Sequence, residues 1–166
     1  MTKLLIPVFI FILVSQSVIG QAEKTERPGE PDIYNVQSDD AELNAAIDKS
    51  RLSFNEFLAA FKNRKSSQTN FSVKMPFATE TGAEHIWLTG LELKDEKLLG
   101  LVDNLPANVT SVKLGDQVEI EQDKISDWFY LDNGKLVGGN TIRVIRSRMK
   151  ASERKKFDKQ FGITID

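Results

Sequence analysis

His85 is the one histidine of this chain and the residue best suited to acid–base chemistry. Imidazole has an unperturbed pKa closest to neutral pH, so it can take up and release a proton under ordinary conditions. Glu84 precedes it, and Asp127 lies farther along beside Trp128. A carboxylate that orients an imidazole base would make a candidate hydrolytic site. The alternative, which the sequence favours, is a histidine on a strand that donates a structural hydrogen bond.

The sequence gives little support for other kinds of catalytic or ligand-binding site. The chain has no cysteine, which excludes thiol catalysis, and a zinc site would need more nitrogen or sulfur ligands than one histidine supplies. No serine stands in a Gly-x-Ser-x-Gly turn. Gly138-Gly139-Asn140 lacks the spacing of a phosphate-binding loop, and it is interpreted as a bend within a strand. The sequence therefore predicts no metal and no cofactor.

The first residues have the layout of a secretory signal. Lys3 gives a basic start, an apolar run covers Leu4–Val14, and a stretch with small residues follows. The run is about half as long as the roughly 20 residues that cross a bilayer, which disfavours an uncleaved anchor. We expect residues 1–20 to be a signal peptide, cleaved after Gly20 or Ala22. The mature protein would then be periplasmic or secreted, with no stable membrane span.

The charge balance excludes one broad class of partner. The chain carries 22 Lys and Arg against 24 Asp and Glu. Lys3 would leave with the signal, so 21 basic side chains would face 24 acidic ones, a net charge of −3. Proteins that neutralise nucleic-acid phosphates need the opposite balance, so we expect no nucleic-acid partner.

The mature chain divides into a tether and one domain. Residues 21–38 are interpreted as a flexible tether, because proline and glycine are dense around Pro28-Gly29-Glu30-Pro31. Residues 39–166 are predicted to form a single domain that opens with an amphipathic helix capped by Asp39. A short helix containing Phe157 and Phe161 ends it.

Between the helices the apolar residues repeat at a period near two, except in Leu98–Val102, which is apolar on both sides, and these patterns predict strands. The expected strands cover Phe71–Met75, Ile86–Thr89, Leu98–Val102, Val112–Ile120 with a turn at Gly115-Asp116, Ile125–Leu131 and Leu136–Ile145. Short connections favour antiparallel pairing. The predicted fold class is α+β, with a curved antiparallel sheet or partly open barrel of about six strands.

The same periodicities predict the core. Apolar residues on the inner faces of the helices and strands should be mostly buried. They are Phe54, Phe57, Phe61, Ile86, Leu88, Val118, Ile120, Val144 and Phe157.

Five short strings, read in order, resemble a known family. They are Phe71-Ser72-Val73-Lys74, Glu84-His85-Ile86-Trp87-Leu88, Lys113-Leu114-Gly115-Asp116-Gln117-Val118, Ile125-Ser126-Asp127-Trp128 and Gly138-Gly139-Asn140-Thr141-Ile142-Arg143-Val144. Together they resemble the bacterial YegJ-like family, domain of unknown function 2314. The resemblance covers about residue 45 to the C-terminus. It implies a bacterial source, and it brings no established activity and no catalytic residue.

Six polar or amphipathic residues in these strings form a candidate face. They are Glu84, His85, Asp127, Trp128, Asn140 and Arg143. If their strands are neighbours, period-two alternation can bring several onto one side of the sheet. Such a face would suit polar recognition, or alternatively a buried hydrogen-bonded network that fixes the fold, and the sequence favours the network.

The function predicted from the sequence is that of a non-enzymatic binding or interaction module of the bacterial cell envelope. Its partner would be an envelope protein or a glycan. An envelope hydrolase that uses His85 with a neighbouring carboxylate is the alternative.

Overall fold

A computed structural model describes the backbone of residues 10–13, 23–25, 33–36, 40–80, 82–161 and 163–165. It describes the side chains of residues 40–80, 82–159 and 163–165.

Helices and strands alternate in blocks along the chain. The helices are α1 (Ala41–Leu52), α2 (Phe54–Lys62), α3 (Asn140–Arg148) and α4 (Ala151–Phe161), with a 3₁₀ turn at Gln122–Lys124. The strands are β1 (Ile10–Leu13), β2 (Glu23–Thr25), β3 (Ile33–Val36), β4 (Gln68–Thr79), β5 (Gly82–Lys94), β6 (Lys97–Val102), β7 (Gln117–Glu119), β8 (Asp127–Asp132) and β9 (Lys135–Gly138). The predicted α+β class is confirmed.

The sheet is open rather than closed into a barrel. Its main path is β2-β3-β1-β5-β4-β8-β9, and β6 joins it by pairing with β5 and with β7. The six strands from β4 to β9 pair antiparallel throughout. The long strands β4 and β5 are central, and β5 shifts register at a bulge between Thr89 and Glu92. β5 pairs with β4 from Gly82 to Leu88 and with β6 from Leu88 to Lys94.

Two apolar clusters cover the two faces of this sheet. Successive strand residues point to opposite faces, so Trp87 and Phe129 join one cluster while Ile86 and Trp128 join the other. The first cluster includes residues of α1, α3 and α4, and the second includes the phenylalanines of α2. Seven of the nine predicted core residues are buried. Val118 and Val144 are partly buried.

The sequence predicts one amphipathic helix at the start of the domain, with apolar residues from Leu43 to Phe61, but the structure divides it into α1 and α2. It begins after Asp40, whose carboxylate accepts the Leu43 N–H at 3.0 Å, so the cap is one residue later than predicted. It breaks at Ser53, whose hydroxyl donates to the Lys49 carbonyl at 2.8 Å. Such local bonds compete with the helical pattern. The break lets Leu43 pack in one cluster and Phe54 in the other.

The predicted strand at Thr141–Ile145 is wrong, because these residues lie in α3. Gly138 and Gly139 have φ angles of 76° and 63°, so the pair turns the chain from β9 into a helix and is not a bend within a strand. A Cβ atom on Gly138 would lie 2.4 Å from the Trp128 carbonyl oxygen, which leaves room for glycine alone. Ile142 and Ile145, three apart, bury the inner side of α3.

Other predictions meet the structure in part. Val112 and Leu114 lie in a loop, and β7 is shorter than predicted. Within the predicted tether, residues 23–25 and 33–36 are strands, while the Pro-Gly run lies outside the described residues. Of the predicted signal peptide the structure describes residues 10–13, and both cleavage positions lie outside. No described helix has the length and apolar character needed to cross a membrane.

Candidate functional site

The Asp127 carboxylate is the centre of a buried polar cluster at the start of α3. It accepts the backbone N–H of Asn140 at 3.1 Å and of Thr141 at 2.9 Å, and the Thr141 hydroxyl. The Ser50 hydroxyl of α1 also donates to it, at 2.9 Å. A carboxylate at a helix N-terminus satisfies orphan N–H groups and complements the helix dipole. Asp127 therefore ties β8 to α1 and α3.

Lys74 completes this group, which we call the α3 cluster: Ser50, Lys74, Asp127, Asn140 and Thr141. On β4, Lys74 lies opposite Asp127 of β8 and opposite Trp87 of β5. Its ammonium donates to the Thr141 hydroxyl at 3.0 Å and lies 4.5 Å from the Trp87 ring centroid. Burial lowers the pKa of Lys74 to about 7, and the negative charge of Asp127 partly opposes that shift.

Two of the predicted face residues, Trp128 and the cluster member Asn140, contact Ser50. The Trp128 indole N–H donates to the Ser50 carbonyl at 2.9 Å, and the Asn140 amide donates to the Ser50 hydroxyl at 3.0 Å. Arg143 lies one turn along α3, where it donates to the carbonyls of Gly138 at 3.0 Å and Leu136 at 2.7 Å. These contacts fix α3 to α1 and to β9.

Glu84 lies apart from the α3 cluster, whereas His85 is close enough to Lys74 of the cluster for the ammonium charge to act on its imidazole. As neighbours on β5 they point to opposite faces of the sheet. Both Glu84 oxygens are engaged, by the N–H groups of Ala107 at 2.9 Å and Asn108 at 2.8 Å. His85 is 6% exposed. Burial, then the charges of Lys74 and Arg51, lowers its pKa to about 3.

The structure therefore brings Asp127, Trp128 and Asn140 together and leaves Glu84 elsewhere. Within the part of the chain that the structure describes, no hydrogen bond joins His85 to Glu84 or to Asp127. Both carboxylates are occupied by backbone N–H groups. A histidine base oriented by a carboxylate is not assembled. Ligand binding by the six residues stays a prediction.

Sequence reasoning missed Ser50, Lys74 and Thr141. Lys74 offered the clearest signal, because it is a charged residue in a strand whose neighbours Phe71, Val73 and Met75 are apolar. It also lies within one of the five strings. Thr141, to which Lys74 donates, is 67 residues after it, and Ser50, which donates to Asp127, is 24 residues before it, so no local pattern connects the three.

A groove lies where the end of α2 meets β5 at its bulge. Its volume is about 700 Å³. It is lined by Phe61, Lys62, Asn63, Arg64, Leu91, Glu92 and Leu93. The Arg64 guanidinium lies 5.2 Å from the centroid of the Phe61 ring. Among residues 40–80, 82–161 and 163–165, no group of three or more His, Asp or Glu could hold a metal ion.

Comparison with known proteins gives a family and two relatives. The profile of an uncharacterized protein family conserved in bacteria, domain of unknown function 2314, matches residues 40–165. A Neisseria meningitidis serogroup B protein, provisionally named an ankyrin repeat protein, is 33% identical over 143 residues, which are 81% of this chain and 56% of that protein. The uncharacterized protein YegJ of Escherichia coli is 34% identical over 100 residues, which are 60% of this chain and 64% of YegJ.

The chain thus spans less than two thirds of the length of each of these relatives. No solved structure matches it. The family match extends from the cap of α1 to the residues that follow α4 and includes every string on which the resemblance rests. The chain belongs to the bacterial family known as domain of unknown function 2314.

Proposed function

We propose that this protein is an exported, non-enzymatic binding module of the bacterial envelope and that the groove between α2 and β5 is its binding surface. One observation carries the proposal. The groove combines apolar side chains with two cations, Lys62 and Arg64. Binding sites commonly pair an apolar surface with a few polar groups that set orientation.

The side chains of the groove suggest the chemistry of its ligand. Leu93 is 44% exposed, Leu91 is partly buried, and Phe61 contributes a ring whose other side packs in the core. Lys62 and Arg64 are exposed. A protein segment with an apolar residue beside a carboxylate would satisfy both features, and so would an acidic glycan that stacks on the ring. We favour the protein segment, because leucine side chains offer a sugar no hydrogen bond.

Two further points support binding over catalysis. The residues with the strongest catalytic potential are buried and hydrogen-bonded within the fold, as Asp127 and Glu84 illustrate. The Neisseria relative is named as an ankyrin repeat protein, and such repeats stack into extended binding surfaces. A domain shared with such a protein fits a role in interaction.

Capture from envelope extracts tests the proposal. The full chain is expressed in a bacterial host, the purified protein is immobilised, and enriched proteins and glycans are identified. Leu93→Asp and Arg64→Glu should each abolish enrichment of the specific partner. Leu114→Asp is the matched control, because Leu114 is 56% exposed and lies outside the groove. A partner lost equally in Leu114→Asp, or retained in both groove variants, would refute the assignment.

A further inference from the structure

One edge of β5 has two different partners. The opposite edge of β5 pairs with one strand, β4, from Gly82 to Leu88, and the edge with two partners is the one that matters here. On this edge it pairs with β6 from Leu88 to Lys94, and before that with β1 at Ala83–His85. The first part of the edge is therefore covered by β1.

β1 lies inside the apolar run that the sequence predicts to be a cleaved signal. If export removes it, the backbone N–H and C=O groups of β5 on this edge lose their partner. An uncovered strand edge is a template for pairing with another strand, and proteins keep such edges covered. In the mature protein another strand would then take the place of β1 beside Ala83–His85.

β3 is already aligned for that position. It pairs with β1 in parallel, and β1 pairs with β5 antiparallel, so β3 runs antiparallel to β5. The registers also match, because Phe11 lies opposite Tyr34 on one side and opposite His85 on the other. We propose that, once the signal is removed, Ile33–Val36 moves by one strand position and covers Ala83–His85. β5 is thus a strand-acceptor site, and its occupant in the mature protein is the chain's own N-terminal segment.

Sequence and reach both permit this exchange. Ile33, Tyr34 and Val36 give β3 the β-branched and aromatic character that favours strands, as in β1. The required shift is about 4.8 Å, the spacing of neighbouring strands. Asp40 is held in place by α1 and by Arg148, whose guanidinium donates to it at 2.8 Å. Four residue steps connect Val36 to Asp40 and span at most about 14 Å, and a shift of one strand position changes the distance between these residues by at most about a third of that length.

Hydrogen exchange of the exported protein tests the inference. The full chain is expressed with its own leader, the processed product is purified, and its N-terminus is determined by mass spectrometry. Amides 83 and 85, whose N–H groups face this edge because N–H groups alternate along a strand, should be protected, and so should amides 33–36. Tyr34→Pro, which removes the N–H group that would donate to His85 and disfavours the strand, should speed exchange at amides 83 and 85 at least about tenfold. Glu30→Pro, outside β3, should leave it unchanged.

Several results would overturn the inference. One is a product that keeps its leader. Others are rapid exchange at amides 83 and 85 in the parent protein, or protection of these amides that survives Tyr34→Pro. Protection that disappears on dilution would instead assign the edge to a second copy of the chain. Unchanged exchange in β4 and β8 verifies that each variant is folded. The inference rests on the export that the proposed function includes, so a retained leader would contradict both. The other outcomes do not depend on the groove and test the inference separately.

Discussion

The α3 cluster and the groove at the end of α2 differ in how much of their polar chemistry is already used. In the cluster, Asp127 accepts five hydrogen bonds and is fully buried. In the groove, Lys62 and Arg64 are exposed and Leu93 is open to solvent. The cluster has the residues that one would choose for catalysis, but its polar groups are directed at one another.

This difference shows that chemical character alone does not identify a functional site. A buried carboxylate whose oxygens are occupied by N–H and O–H groups stabilises the fold and cannot orient a base for a substrate. An ordinary leucine beside two cations is available to a ligand. We therefore assign the cluster to stability and the groove to binding, and the following predictions test that division.

The largest effect is expected from Asp127→Ala. The substitution would leave Lys74 buried without its nearby negative charge, and it would remove the acceptor for Ser50 and Thr141. Loss of one partner of a buried charged network typically costs about 3–5 kcal/mol. Urea unfolding should show this loss, whereas exposed Asp123→Ala should change stability by less than about 0.5 kcal/mol. Equal stabilities for the two variants would show that Asp127 does not stabilise the fold.

The next effect concerns the pH dependence of stability. His85 is neutral in both states above pH 6.5. Between pH 6.5 and about 3 the unfolded chain binds a proton that folded His85 does not, so the free energy of unfolding falls on acidification. This contribution should reach a few kcal/mol and be absent in His85→Gln. Parallel stability curves from pH 7 to 4 for parent and variant would contradict the expectation, as would an NMR titration of His85 near pH 6.5.

A smaller loss is expected from Arg143→Ala. The substitution would remove the donor for the carbonyls of Gly138 and Leu136. An unsatisfied buried carbonyl costs about 1–3 kcal/mol, and water can reach part of this half-buried site, so we expect the lower part of that range. Thermal unfolding measures it. Arg143→Lys should recover part of the loss. If Arg143→Ala unfolds at the same temperature as the parent, Arg143 does not stabilise the fold.

The local spacing of apolar residues predicted those strands and helices whose residues interact mainly with the sheet. Period-two alternation located β4 and β5, a continuous apolar run located β6, and regularly spaced phenylalanines located the segments of α2 and α4. α3 was missed because Thr141–Ile145 fits both a strand and a helix. Two glycines with positive φ decide in favour of the helix, together with Asp127, which lies 13 residues before Asn140 and accepts its N–H. That contact exists only in the folded chain.

The candidate site was predictable to a similar extent. The sequence placed Asp127, Trp128 and Asn140 in one hypothesis, and they do meet. It could not show that they meet through Ser50 or that Glu84 faces a loop. The groove had no sequence signal, because it forms where the end of α2 approaches β5 after the bulge.

The most direct test of the division between cluster and groove measures stability and capture together in two variants. Asn140→Ala removes a hydrogen bond to Ser50 in the cluster, and Leu93→Asp places a charge in the groove. Both are compared with the parent at a temperature where all are folded. We predict that Asn140→Ala lowers the thermal midpoint and keeps partner capture, whereas Leu93→Asp keeps the midpoint and loses capture. The opposite pattern would show that the α3 cluster is the binding site.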